Sequence, residues 1–127
     1  MELEKFQSRS EIEQLLKVRE RISDLRSDLD RRGGVRPRVD LIDHGDAFEL
    51  IVEVPGVRQE HLEVAVQGRD LIVAGLVEPL DDHLDVITAE RPSGHFQRQV
   101  ELPSEVQWED GTAHLREGLL IVHLPKP

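Results

Sequence analysis

The chain has 127 residues, a formal net charge of −10, 38% apolar residues, no cysteine, and only three Phe and one Trp. This length indicates one domain with room for one appendage, and the lack of cysteine excludes disulfides and thiolate metal sites. The start, MELEKFQS, lacks the apolar core of a signal peptide, and no apolar run approaches the ~20 residues of a membrane span. We therefore expect a cytoplasmic protein with no membrane partner.

The negative charge is concentrated in one part of the chain. Residues 1–34 contain eight acidic and eight basic side chains, whereas residues 35–127 contain eighteen acids and eight bases. A surface of this sign repels phosphate backbones, and no basic stripe interrupts it, so we expect no nucleic-acid partner. The same charge favours solubility.

The N-terminal segment, residues 1–34, is predicted to contain one helix over 8–32. Ser10 and Glu13 have the spacing of a capping box, and Gly33-Gly34 ends the helix. An isolated helix of this length is marginal in water, so its apolar seam must pack against protein, either in the same chain or in another. The seam has coiled-coil spacing and consists of Leu15, Val18, Ile22, Leu25 and Leu29.

Residues 35–127 are predicted to form the main domain, because from Arg38 the apolar period changes to two. We predict strands at 48–54, 62–66, 71–75, 95–102, 112–116 and 119–124. Turns are predicted at Pro55-Gly56 and Glu117-Gly118. The run LIVAG at 71–75 is apolar throughout, which is typical of a strand covered on both faces. Many short strands without intervening helices indicate an all-β sandwich or barrel.

A long connection, residues 76–93, separates two of these strands. Loops of this length usually have a function or carry their own structure. The stretch contains strand-like residues, Leu84 and Val86 to Thr88. We expect a strand here that can reach beyond its own sheet.

The sequence contains no motif for catalysis or metal binding. Asp43-His44-Gly45-Asp46 lacks the pattern of a calcium loop and is interpreted as a solvated turn. The six histidines have no metal-ligand spacing, and no phosphate-binding loop or G-x-S-x-G motif is present. We therefore expect no enzyme, no cofactor, no metal and no ATP-driven mechanism.

Several motifs occur together in a characteristic order. They are VEVPGV at 52–57, G-x-F-x-R at 94–98, LP at 102–103, and A-x-x-x-x-G-x-L followed by LPK within 113–126. In this order they resemble the alpha-crystallin domain of small heat-shock proteins, over roughly 38–126.

This resemblance implies an immunoglobulin-like β-sandwich preceded by the N-terminal helix, with a homodimer as building block. It also implies an ATP-independent holdase chaperone of the stress response, which binds unfolding client proteins and prevents their aggregation. In bacterial and plant-type members the strand of the long loop crosses to the partner's sheet. The expected dimer interface is therefore formed by Leu84, Val86, Glu90 and Arg98.

Two of the implied sites have a competing structural interpretation. Arg98 shares a strand face with Phe96, Val100 and Leu102, so its charge needs a partner there, either across the dimer or in an ordinary intrachain ion pair. The family's peptide groove would be lined by residues that the alternation equally allows in the core: Leu62, Val64, Val66, Ala113 and Leu115.

Two departures from the family pattern bear on assembly. The N-terminal segment has a single phenylalanine, Phe6, where family arms are apolar and phenylalanine-rich, and no I-x-I/V motif follows Leu124. We expect dimers or small oligomers instead of large cages. A rival interpretation is a monomeric adaptor or co-chaperone of the CS-domain type, which uses a similar sandwich; mass in solution discriminates the two.

Overall fold

The computed structural model describes residues 35–127, which form seven β-strands and two single-turn 3-10 helices, Gln59–His61 and Trp108–Asp110. The predicted helix over 8–32 and its seam lie outside the described residues. The strands are β1 Val39–Asp43, β2 Ala47–Glu53, β3 Leu62–Gln67, β4 Asp70–Val77, β5 Gly94–Glu101, β6 Thr112–Arg116 and β7 Leu119–Pro125.

The strands form two antiparallel sheets. One sheet has four strands in the order β1-β2-β7-β6, and the other has three in the order β3-β4-β5. Both sheets contribute to one apolar core, so the predicted all-β sandwich is confirmed. No helix within residues 35–127 is long and apolar enough to cross a membrane.

The core follows from the alternation of apolar residues along each strand. In the four-stranded sheet Leu50 pairs with Val122, and in the three-stranded sheet Val64 pairs with Val73. All four side chains are at least 93% buried. Because successive side chains in a strand point to opposite faces, these pairs place one apolar face of each sheet against the other.

One turn joins two paired strands, β6 and β7, and another leads from β2 in one sheet toward β3 in the other. Glu117 and Gly118 both have positive φ, 52° and 76°, which is the geometry of a type I′ hairpin between β6 and β7. Gly56, with φ 76°, follows Pro55 in a turn closed by the Val57 N–H donating to the Val54 carbonyl at 3.2 Å. Both turns were predicted at these positions.

The predicted strands agree with the observed ones to within two residues at every end. Strand β1 was missed as a separate strand, because Asp40 and Asp43 leave it with a weak apolar pattern. The prediction that 71–75 is covered on both faces is confirmed, since Leu71, Ile72 and Val73 are all 0% exposed.

Candidate functional site

Four strand edges of the sandwich have no pairing partner among residues 35–127. Strands β1 and β6 end the four-stranded sheet, β3 and β5 end the three-stranded sheet, and no further strand within residues 35–127 pairs with them. An edge strand presents backbone N–H and C=O groups on one side. An extended peptide can pair with these groups, so the edges are candidate binding sites.

The residues predicted to line a peptide groove belong to two of these edges. Three lie on β3 and two on β6, and all five point into the shared core. Four of them are buried, whereas Leu115 is partly exposed and packs against the core from the β6 edge. A peptide at these edges would therefore meet the strand backbones and Leu115. The four buried residues of the predicted groove are Leu62, Val64, Val66 and Ala113.

The connection between β4 and β5, here called the 78–93 loop, carries all the large apolar side chains that are exposed within residues 35–127. The exposed fractions are 44% for Leu80, 56% for Leu84, 41% for Val86 and 96% for Ile87. Four such side chains on one segment mark an interaction surface.

The strand expected within this loop is absent from the single chain. Residues 78–93 contain turns and bends but no strand. The physical reason is that a strand needs a paired neighbour, and no strand within residues 35–127 pairs with this segment. Leu84, Val86 and Glu90, predicted at a dimer interface, are all exposed.

The predicted face of Arg98 is confirmed. Arg98 pairs with Val73 across the β4–β5 ladder, and its neighbours Phe96 and Val100 on the same face both contact the core. The Nε atom of Arg98 is buried and has no hydrogen-bond partner within residues 35–127. Burying a guanidinium N–H without an acceptor is costly.

The Asp43–Asp46 segment is a turn, as predicted. The Lys126 ammonium and the Gly45 backbone N–H both donate to Asp43 Oδ1, each at 2.8 Å. These two hydrogen bonds hold the pKa of the Asp43 carboxyl below its ordinary value of 3.8. The Lys126 ammonium also lies 4.6 Å from the centroid of the Phe48 ring.

Within residues 35–127 no cluster of three or more His, Asp or Glu side chains could hold a metal ion.

The side of the three-stranded sheet that faces away from the core is also buried, as the prediction for 71–75 requires. The register places Ala65, Ile72, Ala74 and Gln97 there, and all four are at least 95% buried. The uninterrupted apolar run at 71–75 was the available signal.

Comparison with known proteins assigns this architecture to a family. Residues 40–127 match the model of the Hsp20/alpha crystallin family. Small heat shock protein C4 of Rickettsia felis is 33% identical over 92 residues, which cover 71% of this chain and 56% of that protein. The chain thus spans a little over half the length of this relative.

Solved structures of small heat-shock proteins have a similar fold. Heat shock protein 16.0 from Schizosaccharomyces pombe superposes with a TM-score of 0.67 at 28% identity, over 72% of this chain and 87% of the other. A small heat-shock protein from Xylella fastidiosa, described as having a distinct high order structure, superposes with a TM-score of 0.65 at 26% identity. The match covers 72% of this chain and 86% of that chain. The fold is therefore the β-sandwich of small heat-shock proteins. The chain belongs to the Hsp20/alpha crystallin family, which is a family of small heat-shock chaperones.

Proposed function

We propose that this protein is an ATP-independent holdase that binds exposed apolar segments of unfolding proteins and keeps them from aggregating in the cytoplasm. The observation that carries the proposal is the pair of open edges, β3 and β6, whose apolar residues enter one core. Binding at such edges draws on backbone hydrogen bonds and partly exposed apolar side chains, and it needs no nucleotide.

The proposed binding mode predicts a broad client range. Backbone pairing is largely independent of the client's sequence, and Leu115 offers only a shallow apolar contact at the β6 edge. The net charge of −10 keeps a loaded chaperone soluble through repulsion between complexes. Affinity would come from many weak contacts instead of one pocket.

We further propose that the working unit is a homodimer or small oligomer built through the 78–93 loop. Leu84 and Val86 are exposed in the single chain, and pairing with a second chain would bury them. The partner's loop would also bring acids near Arg98, the candidates being Asp81, Asp82, Asp85 and Glu90, all of which are exposed. Residues 1–34 would then be an appendage to the 35–127 domain.

The central experiment follows light scattering of a heat-aggregating model protein with and without this protein and without ATP. We expect suppression that saturates at a defined ratio and is unchanged by added ATP. Leu115→Ser, at the β6 edge, should weaken suppression, whereas Glu105→Ser, at an exposed site away from both edges, should not. Circular dichroism would establish that both variants stay folded.

The same samples test the rival function. A monomeric mass by light scattering, together with no suppression of aggregation, would replace the holdase with a monomeric adaptor of the CS-domain type. Suppression that requires ATP would also contradict the proposal, because it would demand a nucleotide site.

A further inference from the structure

We propose that the outer side of the three-stranded sheet is the docking surface for residues 8–32 of the same chain. Here the outer face means Ala65 on β3, Ile72 and Ala74 on β4, and Gln97 on β5. This inference concerns architecture and does not depend on the chaperone activity proposed above.

The register defines the outer face. In β4, Leu71 and Val73 belong to the core, so the alternating residues Ile72 and Ala74 point the other way. Ile72 pairs with Ala65, and Ala74 pairs with Gln97. None of these four residues is a member of the core cluster.

The burial of this face requires a cover. Ile72 is 0%, Ala65 1% and Ala74 3% exposed. Side chains stand roughly perpendicular to a sheet, so the short Ala65 beside Ile72 cannot shield an isoleucine from water.

The described connections do not supply this cover. Val57, Val106 and Trp108 pack against the core on the opposite side of the sheet. The large apolar side chains of the 78–93 loop are themselves exposed. We choose residues 8–32 as the occupant because their predicted apolar seam matches an apolar face.

Gln97 provides an independent indication of an occupant. Its side chain is 5% exposed, and its Oε1 is buried without a hydrogen-bond partner within residues 35–127. A buried amide oxygen needs a donor. Residues 8–32 include arginines next to the apolar seam, such as Arg19 beside Val18 and Arg26 beside Leu25, which have the right chemistry.

The predicted helix fits the face in size and character. A helix over 8–32 would be about 37 Å long and about 10 Å wide, whereas the eight residues of β4 span about 27 Å. Its seam supplies the apolar contact that Ile72 needs. Acids at the rim of the outer face, Glu63, Asp70 and Glu101, would face the basic residues of the segment.

Cysteine protection tests the proposal in the full-length protein, which contains no native cysteine. Ala65→Cys introduces a small thiol on the outer face, and Thr112→Cys introduces a control thiol on the outward side of the four-stranded sheet. We expect a maleimide to react with Cys at 65 at least tenfold faster when Ile22→Ser and Leu25→Ser are added. The rate at 112 should not change.

Equal rates at 65 with and without the seam substitutions would overturn the proposal. Should Ala65→Cys fail to fold, Ala74→Cys gives the same comparison from the next row of the sheet. Disulfide trapping of Ala65→Cys with Ile22→Cys decides the connectivity: a product of monomer mass supports docking within one chain. A product of dimer mass, or protection that is lost on dilution, would overturn docking in cis and assign the face to a second copy.

Discussion

Arg98 stands directly opposite Val73 in the β4–β5 ladder, so a permanent positive charge projects from the apolar face of the sandwich. Val73 is 0% exposed, and the Nε of Arg98 is buried without a hydrogen-bond partner within residues 35–127. Such an arrangement is unfavourable unless an acceptor is supplied from outside the described chain. In the proposed dimer, the 78–93 loop of the second subunit would supply it.

Arg98→Gly is expected to weaken dimerisation. In the proposed dimer, removing the charge would strand an acid of the partner's loop, at a cost of about 1.5–3 kcal/mol for a hydrogen bond to a charged group. That cost corresponds to roughly a 10- to 150-fold rise in the dimer dissociation constant, measured by sedimentation. Arg98→Lys should restore part of the affinity, because a single ammonium cannot replace a bidentate guanidinium.

Arg58→Gly is the control for this comparison. The Arg58 side chain is 63% exposed, and its nearest carboxylates, on Glu60 and Glu78, are 3.9 Å away. Surface pairs of this kind contribute little, so its dimer affinity should equal that of the unmodified protein. Equal dimer dissociation constants for the unmodified protein, Arg98→Gly and Arg58→Gly would show that Arg98 does not contribute to the interface.

The double variant Leu84→Ser with Val86→Ser should also weaken the dimer. The exposed fractions are 56% for Leu84 and 41% for Val86, so a dimer that buries what remains exposed would lose about 1 kcal/mol for each. Light scattering coupled to size exclusion, over a dilution series, measures the shift. Thermal unfolding of the monomer is expected to stay unchanged, and an unaltered dimer would argue that assembly uses another surface.

Gly75→Ala should destabilise the sandwich itself. A Cβ at this position would lie 2.5 Å from Phe96 Cζ and 2.8 Å from the His61 carbonyl oxygen. Because the ring and the backbone are both held in place, we expect a loss of about 1–3 kcal/mol in the free energy of unfolding, as for other overpacked cores. Urea denaturation measures it directly.

A double-mutant cycle identifies the cause of that loss. Phe96→Leu removes the ring atoms that meet the new methyl group, so the cost of Gly75→Ala should be smaller in the Phe96→Leu background. Strict additivity of the two changes would show that the ring contact is not responsible and would leave the His61 carbonyl as the obstacle.

Asp43 is expected to make stability depend on pH in the acid range. Its pKa in the folded protein lies below 3.8, because Lys126 and the Gly45 N–H stabilise the carboxylate. A depressed pKa stabilises the fold at pH values above 3.8, and this contribution disappears as the pH falls through the folded pKa. The difference in thermal midpoint between the unmodified protein and Asp43→Asn should therefore narrow from about pH 6 to about pH 2.

Asp40→Asn is the matched control, since Asp40 lies in the same strand and is exposed. At neutral pH, the thermal midpoint of Asp40→Asn should lie closer to that of the unmodified protein than the midpoint of Asp43→Asn does. A difference for Asp43→Asn that stays constant over the whole pH range would contradict the assigned hydrogen bonds.

The sequence by itself determined the strands, the turns and the face of Arg98. Period-two alternation predicted six of the seven strands, and Glu117-Gly118 predicted the β6–β7 hairpin, because these features depend on local backbone and side-chain geometry. The family motifs specified the sandwich. Strand β1 was missed because Asp40 and Asp43 interrupt its apolar pattern, and pairing with β2 compensates for that weakness.

Strand order and burial were decided by the tertiary structure. Leu115 and Ala113 have the same strand pattern, yet only the packing of two sheets leaves Leu115 partly exposed and Ala113 buried. Likewise, the strand expected from Leu84 and Val86 does not form alone, because hydrogen bonding between strands needs a neighbour that local sequence cannot provide. Strand pairing is non-local, which is why the sheet order and the unpaired edges within residues 35–127 could be read only from the assembled sheets.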